Sequence, residues 1–514
     1  MSPGGDRWGR EATTDSAEVS RGHSTGGEET AGKGQTSGER IDGSARDDGH
    51  DRSQPMEHGP AEERSAVNPT DASTERSHRP APTKRDAQPA RRADLWETTF
   101  SRDNVLRALR RVESNRGAPG VDGLLVTELR PWLRLHWKDI RHALDAGTYR
   151  PSPVRRVTIP KPDGGERELG VPTALDRLIQ QAIAQALTPI FDPEFSPHSY
   201  GFRPGRSAHQ AVKAARAFVV EGYTWVVDVD LERFFDRVQH DVLMARVARK
   251  VDDPRVLRLI RRYLDAGVMV SGVKQASVEG TPQGSPLSPL LANIMLDDLD
   301  RELERRGHRF VRYADDVRVH VQSERAGQRV LTGITEFLRR RLKLQVNKVK
   351  SSVRRAAQAV VLGFGFYRHR TGEIVIRLAP KALRRMRERV RALTGRSWRI
   401  TMPERVARLN RFVAGWCAYF SLAETPSTFE EADQWLRRRL RQVRWKEWKQ
   451  PRARARNLLA LGIPRQTAHE WANSSVGHWR MAGSAPLTRA LPNAHWVHLG
   501  LIGFSANWRR LRRA

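Results

Sequence analysis

The chain has 514 residues, with 90 Lys and Arg against 59 Asp and Glu, which gives a net charge of +31. Its single cysteine, Cys417, excludes an internal disulfide and a cysteine-rich zinc site. The sequence has no run of 18 apolar residues and no apolar stretch of a secretory signal near residue 1. We therefore expect a cytoplasmic protein with no membrane partner.

The excess positive charge lies outside the N-terminal segment. Residues 1–92 hold 14 Lys and Arg against 17 Asp and Glu, a net charge of −3, so that residues 93–514 carry +34 of the total of +31. The same segment has too few large apolar residues to build a core, which predicts a disordered polar tail over 1–92. A folded part this basic is typical of proteins that bind nucleic acid.

Helices and strands are predicted to alternate after the tail. Leu106, Leu109 and Val112 share one face of a predicted helix, which Ser101 or Asp103 can cap. Short β-branched runs follow between residue 150 and about residue 378, among them "VRRVTIP", "TWVVDVD" and "EIVIRLA", separated by helical stretches. This pattern predicts an α+β fold with an antiparallel sheet rather than regular βαβ repeats.

Strand signals end near residue 379, and three basic amphipathic helices are predicted next. They cover "PKALRRMRERVRAL", "MPERVARLNRFVAGWCAYF" and "STFEEADQWLRRRLRQVRWKEWK", and begin at Pro, Pro and Ser-Thr. The last of them interleaves Trp with Arg and Lys, which favours contact with a nucleic-acid backbone and with bases. A solvated helix face is the alternative.

Two adjacent carboxylates, Asp315 and Asp316, interrupt the apolar run "RYADDVRV". Other Asp-Asp pairs lie in the tail, before a proline or on a predicted helix, but this one has strand-forming residues on both sides. It predicts a β-hairpin with both carboxylates at its tip. A solvated turn would explain the pair. The functional alternative is a divalent-cation site, where the metal offsets the repulsion between the carboxylates.

A second acidic stretch, "WVVDVDLERFFD", supports the metal site. Asp228 and Asp230 share one face of a predicted strand because side chains alternate with a period of two. A strand Asp beside the hairpin tip would complete a carboxylate cluster for Mg²⁺. Two such ions about 4 Å apart can hold the attacking and leaving oxygens of a phosphoryl displacement. This arrangement predicts polymerase chemistry.

These residues resemble a known family. "YADD" (313–316) is similar to the signature of reverse transcriptases, and "DLERFFD" (230–236) is similar to their first catalytic strand. Further blocks resemble the group II intron type in chain order: "NRGAPGVDG", "IPKPDGGERELGVPTALDRLIQQAI", "SYGFRPGRSAHQA", "GTPQGSPLSPLLANI", "LKLQVNKVKSS", "VLGFGF" and the maturase-like "LNRFVAGWCAYF". The chain departs from the family at Glu232-Arg233, where Lys-Gly is commoner, and at Ser351, where Thr is usual; neither position supplies metal ligands.

The resemblance implies a right-hand polymerase fold. Its fingers and antiparallel palm would occupy 93–378, an all-helical thumb or maturase domain 379–450, and a basic DNA-binding segment 451–514. Many relatives carry a C-terminal endonuclease with paired cysteines. Since the only cysteine here falls within the thumb match, we expect that module to be missing.

The resemblance also assigns roles at the metal site. Asp230 and Asp315 would bind two Mg²⁺ ions, which Mn²⁺ can replace, with Asp316 as a weaker or indirect ligand. The Leu231 carbonyl would complete one coordination sphere. The neighbouring acids of the first strand look like supporting or capping groups.

The residues implied to bind the incoming dNTP are Lys161, Arg167, Phe235, Gln283 and Lys350. The first two flank a "PDGGE" turn and would hold the triphosphate, although a solvated hairpin is the alternative. Phe235 would exclude a ribose 2′-OH, unless it is simply a core residue. Gln283 would back the nucleotide and the template. Lys350 would act near the leaving pyrophosphate, with a second lysine close by in the sequence.

The leading functional hypothesis is an RNA-directed DNA polymerase of group II intron type. It would copy RNA into cDNA, bind intron RNA to assist splicing, and support retromobility. The implied partners are group II intron RNA, an RNA template with a DNA or RNA primer, a DNA target and dNTPs, in a bacterial cytoplasm and at the nucleoid when DNA is the target. A splicing-only maturase and a reverse transcriptase serving defence or repair are the alternatives.

Overall fold

The computed structural model describes residues 94–160, 166–270, 273–275, 279–281 and 284–513. Within these ranges the side chains at positions 167, 268, 270 and 273–275 are not described. The disordered tail predicted over 1–92 lies outside the described residues. No described helix is both long enough and apolar enough to cross a membrane.

Helices and strands alternate as far as Leu378, and helices alone follow. The helices are α1 (Leu95–Phe100), α2 (Arg102–Ser114), α3 (Val126–Asp145), α4 (Ala174–Phe191), α5 (Ala208–Val220), α6 (His240–Val247), α7 (Pro254–Asp265), α8 (Ser288–Arg305), α9 (Glu324–Phe337), α10 (Pro380–Leu393), α11 (Met402–Tyr419), α12 (Pro426–Glu447), α13 (Pro451–Ala460), α14 (Arg465–Ala472), α15 (His478–Met481), α16 (Ala485–Ala490), α17 (Asn493–His498) and α18 (Phe504–Arg513). The strands are β1 (Val154–Pro160), β2 (Glu166–Val171), β3 (Trp225–Val229), β4 (Val268–Val270), β5 (Val273–Gln275), β6 (Arg309–Tyr313), β7 (Asp316–Val321), β8 (Ser352–Arg355), β9 (Val360–Val361), β10 (Phe364–Arg368) and β11 (Ile374–Leu378). Short 3₁₀ turns occur at Asp192–Glu194 and Phe234–Asp236, and a π-helical turn at Leu338–Leu342 continues α9.

The first long helix, α2, forms where the apolar spacing predicts it. The Ser101 hydroxyl accepts a hydrogen bond from the Asn104 amide and so caps the helix, as one of the two predicted caps. The helix buries Leu109 and Val112 against a core shared with α4.

The palm sheet is our name for the four-stranded sheet in the order β6-β7-β3-β8. All of its strand pairs are antiparallel, which confirms the predicted sheet type. Because side chains alternate along a strand, Val227 and Val229 of β3 face one core with Val317 and Val319 of β7. Val226 faces the opposite side, into a second core.

The palm sheet therefore lies between two helical layers. The first core contains residues of α1–α4 and α6–α9. The second core contains residues of α5, the three-stranded sheet β11-β10-β9 and the C-terminal helices. A separate four-stranded sheet, in the order β2-β1-β4-β5, has one parallel pair, β1 with β4, and otherwise antiparallel pairs.

The three predicted basic helices are α10, α11 and α12. Prolines occupy the first turns of all three helices, where a missing amide hydrogen breaks no helical hydrogen bond. The third helix begins at Pro426 rather than at the Ser-Thr pair that follows, because proline already fixes the backbone angle for a first turn.

The segment after α12 packs onto the same core as the three basic helices. Trp496 and Phe504 are fully buried there. Both oxygens of Asp433 on α12 accept hydrogen bonds from the amides of Phe504 and Ser505, at 2.6 and 3.1 Å, and so anchor the start of α18. The DNA-binding role expected for 451–514 stays a prediction.

Candidate active site

The acidic hairpin forms as the β-branched flanks predict. Strands β6 and β7 are joined by a two-residue turn, Ala314 and Asp315, closed by the pair of Tyr313 with Asp316. Ala314 has φ of 58°, the left-handed conformation that a tight hairpin turn requires at its first central residue. Asp315 thus lies in the turn itself, whereas Asp316 is the first residue of β7, one step from the tip.

The second acidic stretch lies beside the hairpin. Register pairs Asp228 with Arg318 and Val229 with Val317 across β3 and β7. The next residue along β3, Asp230, is therefore brought alongside Asp316. The strand alternation places Asp228, Asp230 and Asp316 on the sheet face opposite the first core, as the two-residue period predicts for the first two.

The backbone at Asp230 is fastened to a distant part of the chain. The Asp230 amide donates to the Ser351 hydroxyl at 3.0 Å, and the Asp230 carbonyl accepts from the Asn347 amide at 2.8 Å. The Glu232 amide donates to the Gln345 carbonyl at 2.8 Å. These bonds leave out the carbonyl of Leu231, the predicted backbone ligand, because its residue is the non-hydrogen-bonded partner in this bridge.

Charge near Asp230 is balanced from one side. Burial raises the pKa of Asp230 and the Asp316 carboxylate adds to that rise, whereas the Lys350 ammonium opposes it. The Lys350 Nζ lies 3.8 Å from the Asp230 carboxylate and the lysine side chain is 67% exposed. Lys348, the other lysine of this stretch, instead lines a surface cleft with Thr335. The structure therefore brings Lys350, and not Lys348, to the acidic site.

An arginine that the sequence analysis did not single out joins two of the carboxylates. The Arg318 guanidinium pairs with Asp316 and also lies 3.5 Å from an oxygen of Asp228. Burial raises the pKa of Asp228, and the Arg318 charge opposes that rise. Asp228 is thus a supporting acid in this structure, in keeping with the role expected of it.

The hairpin turn rests on a second element behind it. Tyr200 donates its amide to the Arg312 carbonyl at 2.8 Å, and a Cβ added to Gly201 would lie 2.2 Å from the Ala314 nitrogen. Asn293 on α8 donates from its side-chain amide to the Gly201 carbonyl at 2.9 Å. The "SYGFRPG" stretch therefore supports the turn that carries Asp315.

A buried ion pair completes this support. Arg312 donates to Asp300 on α8 and, at 2.9 Å each, to the Asn293 side-chain oxygen and the Ala314 carbonyl. Sequence reasoning missed both charged residues. The available signal was an arginine inside an apolar strand, together with an aspartate one residue after Leu299 on the buried face of a helix.

Phe235, the predicted gate, lies in the 3₁₀ turn after the first acidic strand. It is half-buried, packs against the first core, and meets Phe234 edge to face at 5.1 Å between ring centroids. Its carbonyl accepts from the Thr281 amide at 2.6 Å. Phe234 is buried, so the two aromatic residues divide as predicted, one in the core and one partly open.

Three predicted nucleotide-binding side chains fall outside the described part of the chain. Lys161 and Gln283 belong to segments that are not described, and only the backbone of Arg167 is, paired with Ile159 across β1 and β2. Their roles stay predictions.

The donor chemistry at the hairpin fits a hard divalent cation. Carboxylate and carbonyl oxygens are the ligands that such ions prefer, and the acidic groups here are crowded enough for one charge to raise the pKa of another. Within the described ranges, however, no three His, Cys, Asp or Glu side chains are already gathered closely enough to hold a metal. The backbone brings the acidic residues together, and their side chains are not closed around a common point.

Comparison with known proteins decides the family. Residues 159–366 match the family model for reverse transcriptase (RNA-dependent DNA polymerase), and residues 383–462 match the model for the group II intron maturase-specific domain. The chain belongs to the group II intron reverse transcriptase/maturase family. The reverse transcriptase match contains both acidic stretches, and the maturase match contains α11, α12 and most of α10.

Two similar proteins illustrate this family. Protein YkfC of Escherichia coli (strain K12) is 41% identical over 208 residues, which cover 39% of this chain and 55% of that protein. The group II intron-encoded protein LtrA of Lactococcus lactis subsp. cremoris is 37% identical over 208 residues, which cover 40% of this chain and 34% of LtrA. The matched region thus spans 55% or less of these two relatives. Among solved structures, a partial Cas6-RT-Cas1–Cas2 complex aligns with a TM-score of 0.33 and 27% identity, over 48% of this chain and 43% of that chain.

Proposed function

We propose that this protein is an RNA-directed DNA polymerase of group II intron type, which copies RNA into cDNA and binds its intron RNA to assist splicing and retromobility. The observation that carries the proposal is the end of the palm sheet. There β3 and the β6–β7 hairpin bring Asp230, Asp315 and Asp316 to one place, in a chain that matches both the reverse transcriptase and the maturase families.

The acidic residues would hold the metal. Asp230 and Asp315 would bind two Mg²⁺ ions, for which Mn²⁺ can substitute, with Asp316 beside them and the Leu231 carbonyl as a backbone ligand. When bound, the ions would supply positive charge for the attacking and leaving oxygens of nucleotidyl transfer. The bonds from Asn347 and Ser351 hold the Asp230 backbone in place, so that little reorganisation is needed at the moment of reaction.

The remaining residues would orient the nucleotide. Lys161 and Arg167 would bind the triphosphate and Gln283 would back the base. Phe235, partly open and fixed at its backbone by Thr281, would leave room for a deoxyribose and exclude a 2′-OH. Lys350, exposed and close to Asp230, would reach the leaving pyrophosphate and stabilise its charge.

The basic helices would bind RNA. The arginines of α10 at positions 384, 385, 387, 389 and 391 are exposed, so this helix presents a dense positive face. Arg408 of α11 lies 4.7 Å over the ring of Trp398, which leaves a flat guanidinium–indole surface. Group II intron RNA, an RNA template with its primer, and a DNA target are the partners that such surfaces fit. Binding should weaken steeply with salt because phosphate contacts release counterions.

Primer extension tests the proposal. The full-length protein is given an RNA template, a DNA primer, dNTPs and Mg²⁺, beside an Asp315→Ala variant of unchanged thermal stability. We expect extension by the wild type and none by the variant. A folded wild type that binds RNA without extending the primer would overturn the polymerase and leave the splicing-only maturase. A parallel splicing assay with intron RNA tests the second half of the proposal.

A further inference from the structure

We infer that Arg318 is a positioning residue of the metal site, which holds the Asp316 carboxylate through a direct ion pair and is itself held by Asp228. The inference deepens the proposed polymerase function and rests on it for its catalytic consequence. Its structural basis is a row of three side chains on one face of adjacent strands, with a cation between two acids.

The first step is the geometry of the row. Arg318 is the second residue after Asp316 on β7, so both side chains lie on the same face of the sheet. Asp228 is the direct cross-strand partner of Arg318 on β3. One guanidinium nitrogen, Nη1, contacts Asp316 and the other, Nη2, lies 3.5 Å from Asp228. The planar guanidinium therefore spans the two carboxylates with separate nitrogens.

The second step is burial. The Arg318 side chain is 10% exposed, against 35% for Asp316 and 22% for Asp228. Among the described residues no acceptor lies within hydrogen-bonding distance of the Arg318 Nε. A buried cation with an unsatisfied donor is costly to the fold, so this arginine is hard to explain as a stabilising residue.

The third step is the consequence for Asp316. An ion pair with one oxygen fixes the rotation of a carboxylate and leaves the other oxygen able to face the turn that carries Asp315. Asp230 has a different cation, Lys350, whose side chain is exposed. The buried Arg318 cannot leave Asp316 during turnover in the way that an exposed lysine can leave Asp230. Arg318 and Asp228 thus act as a fixed support and Lys350 as an adjustable one.

The test uses five variants. Arg318→Met removes the charge and keeps the length of the side chain, and Arg318→Lys keeps the charge without the fork. Asp228→Asn removes the anchor, and the double variant Asp228→Asn/Arg318→Met closes a mutant cycle. Arg355→Met is the matched control, since Arg355 also belongs to the palm sheet but packs over Trp225. Thermal unfolding verifies that each variant is folded.

Two readouts are measured on the full-length protein. The first is Mn²⁺ binding in the absence of nucleic acid, followed by electron paramagnetic resonance. The second is kcat and KM for a single dNTP on an RNA template with a DNA primer. For Arg318→Met we expect Mn²⁺ affinity to fall and kcat to fall by about tenfold to a hundredfold, with KM for the dNTP unchanged. Arg318→Lys should recover part of both losses, and Arg355→Met should match the wild type.

The mutant cycle identifies the anchor. Asp228→Asn should lower Mn²⁺ affinity in the wild-type background and have no further effect once Arg318 is methionine. Equal effects of Asp228→Asn in both backgrounds would overturn its role as the anchor. Unchanged or tighter Mn²⁺ binding by Arg318→Met, or a wild type that binds no Mn²⁺, would overturn the inference. If Mn²⁺ binding depends on Arg318 and the wild type still extends no primer, only the proposed polymerase function fails.

Discussion

Arg312 on β6 and Asp300 on α8 form an ion pair in which neither side chain has exposed surface. The Arg312 Nε lies 2.8 and 3.0 Å from the two carboxylate oxygens, and its Nη1 donates to the Ala314 carbonyl at 2.9 Å. The pair therefore connects a helix of the first core directly to the turn that carries Asp315. Stability and catalysis depend on the same arginine, but through different hydrogen bonds.

Arg312→Met should separate these two dependences. Removing one partner of a buried pair leaves an uncompensated charge, so the free energy of unfolding should fall by about 3–5 kcal/mol. The double variant Arg312→Met/Asp300→Leu should regain most of that stability, because apolar side chains can replace a buried pair at little cost. Primer extension should stay impaired in both, since the Ala314 carbonyl has lost its donor. Chemical denaturation and primer extension measure the two effects, and a double variant with full activity would contradict the positioning role.

Gly201→Ala should disable the site at the backbone. The added Cβ would lie 2.2 Å from the Ala314 nitrogen and 2.9 Å from the Tyr313 carbonyl carbon, so the hairpin must shift. A displacement of about 1 Å at a catalytic group can cost on the order of a hundredfold in rate. Gly205→Asn is the control in the same stretch, because Gly205 has open space around it and a φ of 66° that Asn tolerates. Single-turnover extension rates compare the two, and equal rates would show that the close contact is unimportant.

Phe235→Ala should relax sugar selection. Removing the ring should raise incorporation of ribonucleotides relative to deoxyribonucleotides by about tenfold or more, a contrast within the range of small steric changes in a pocket. Phe234→Leu, a change at the buried neighbour, should leave the ratio as it is. Competitive incorporation of rNTP and dNTP on one primer measures it. A Phe235→Ala enzyme that still rejects ribonucleotides would assign the ring to the core alone.

Lys350→Gln and Lys348→Gln form a matched pair. Lys350 lies 3.8 Å from Asp230, whereas Lys348 lines a separate cleft. If Lys350 stabilises the leaving pyrophosphate, its loss should lower kcat by about a hundredfold, in the lower range for such groups. The Lys348 change should have little effect on kcat. Steady-state kinetics distinguishes the two lysines, and a reversed order would place the catalytic lysine at Lys348.

His320 should make stability depend on acid. Burial, with the neighbouring Arg318 charge, lowers the pKa of His320 from 6.5 to about 4. The folded state thus binds fewer protons here than the unfolded state, so its contribution is complete above pH 6.5 and is lost as the pH falls toward 4. The full loss corresponds to about 3 kcal/mol. The free energy of unfolding should fall less over this range in His320→Phe than in the wild type, and equal slopes would contradict the prediction.

The sequence predicts those parts of the molecule that depend on local pattern. The β-branched flanks of Asp315 and Asp316 suffice for the hairpin, and the two-residue period suffices to put Asp228 and Asp230 on one face. Apolar spacing and Pro at the first turn suffice for α10 and α11, which lie within a residue of the predicted bounds.

The rest depends on contacts between distant segments. Nothing local distinguishes Arg312, which is fully buried, from the exposed arginines of α10, because its partner Asp300 comes from a different layer. The contact of Gly201 with the hairpin likewise exists only after the two segments meet. Arg318 follows Asp316 by two residues, yet its pairing with Asp228 requires the strand register.

The anchoring of Asp230 also has a consequence for how the protein is made. Ser351 and Asp230 are 121 positions apart, and their hydrogen bonds join segments that leave the ribosome at different times. Contacts of such long sequence separation form slowly, because a large loop must close first. During synthesis, therefore, the first acidic strand emerges well before the residues that fasten it. The nascent chain lacks an assembled catalytic centre until the segment through Ser351 has been translated and has folded back.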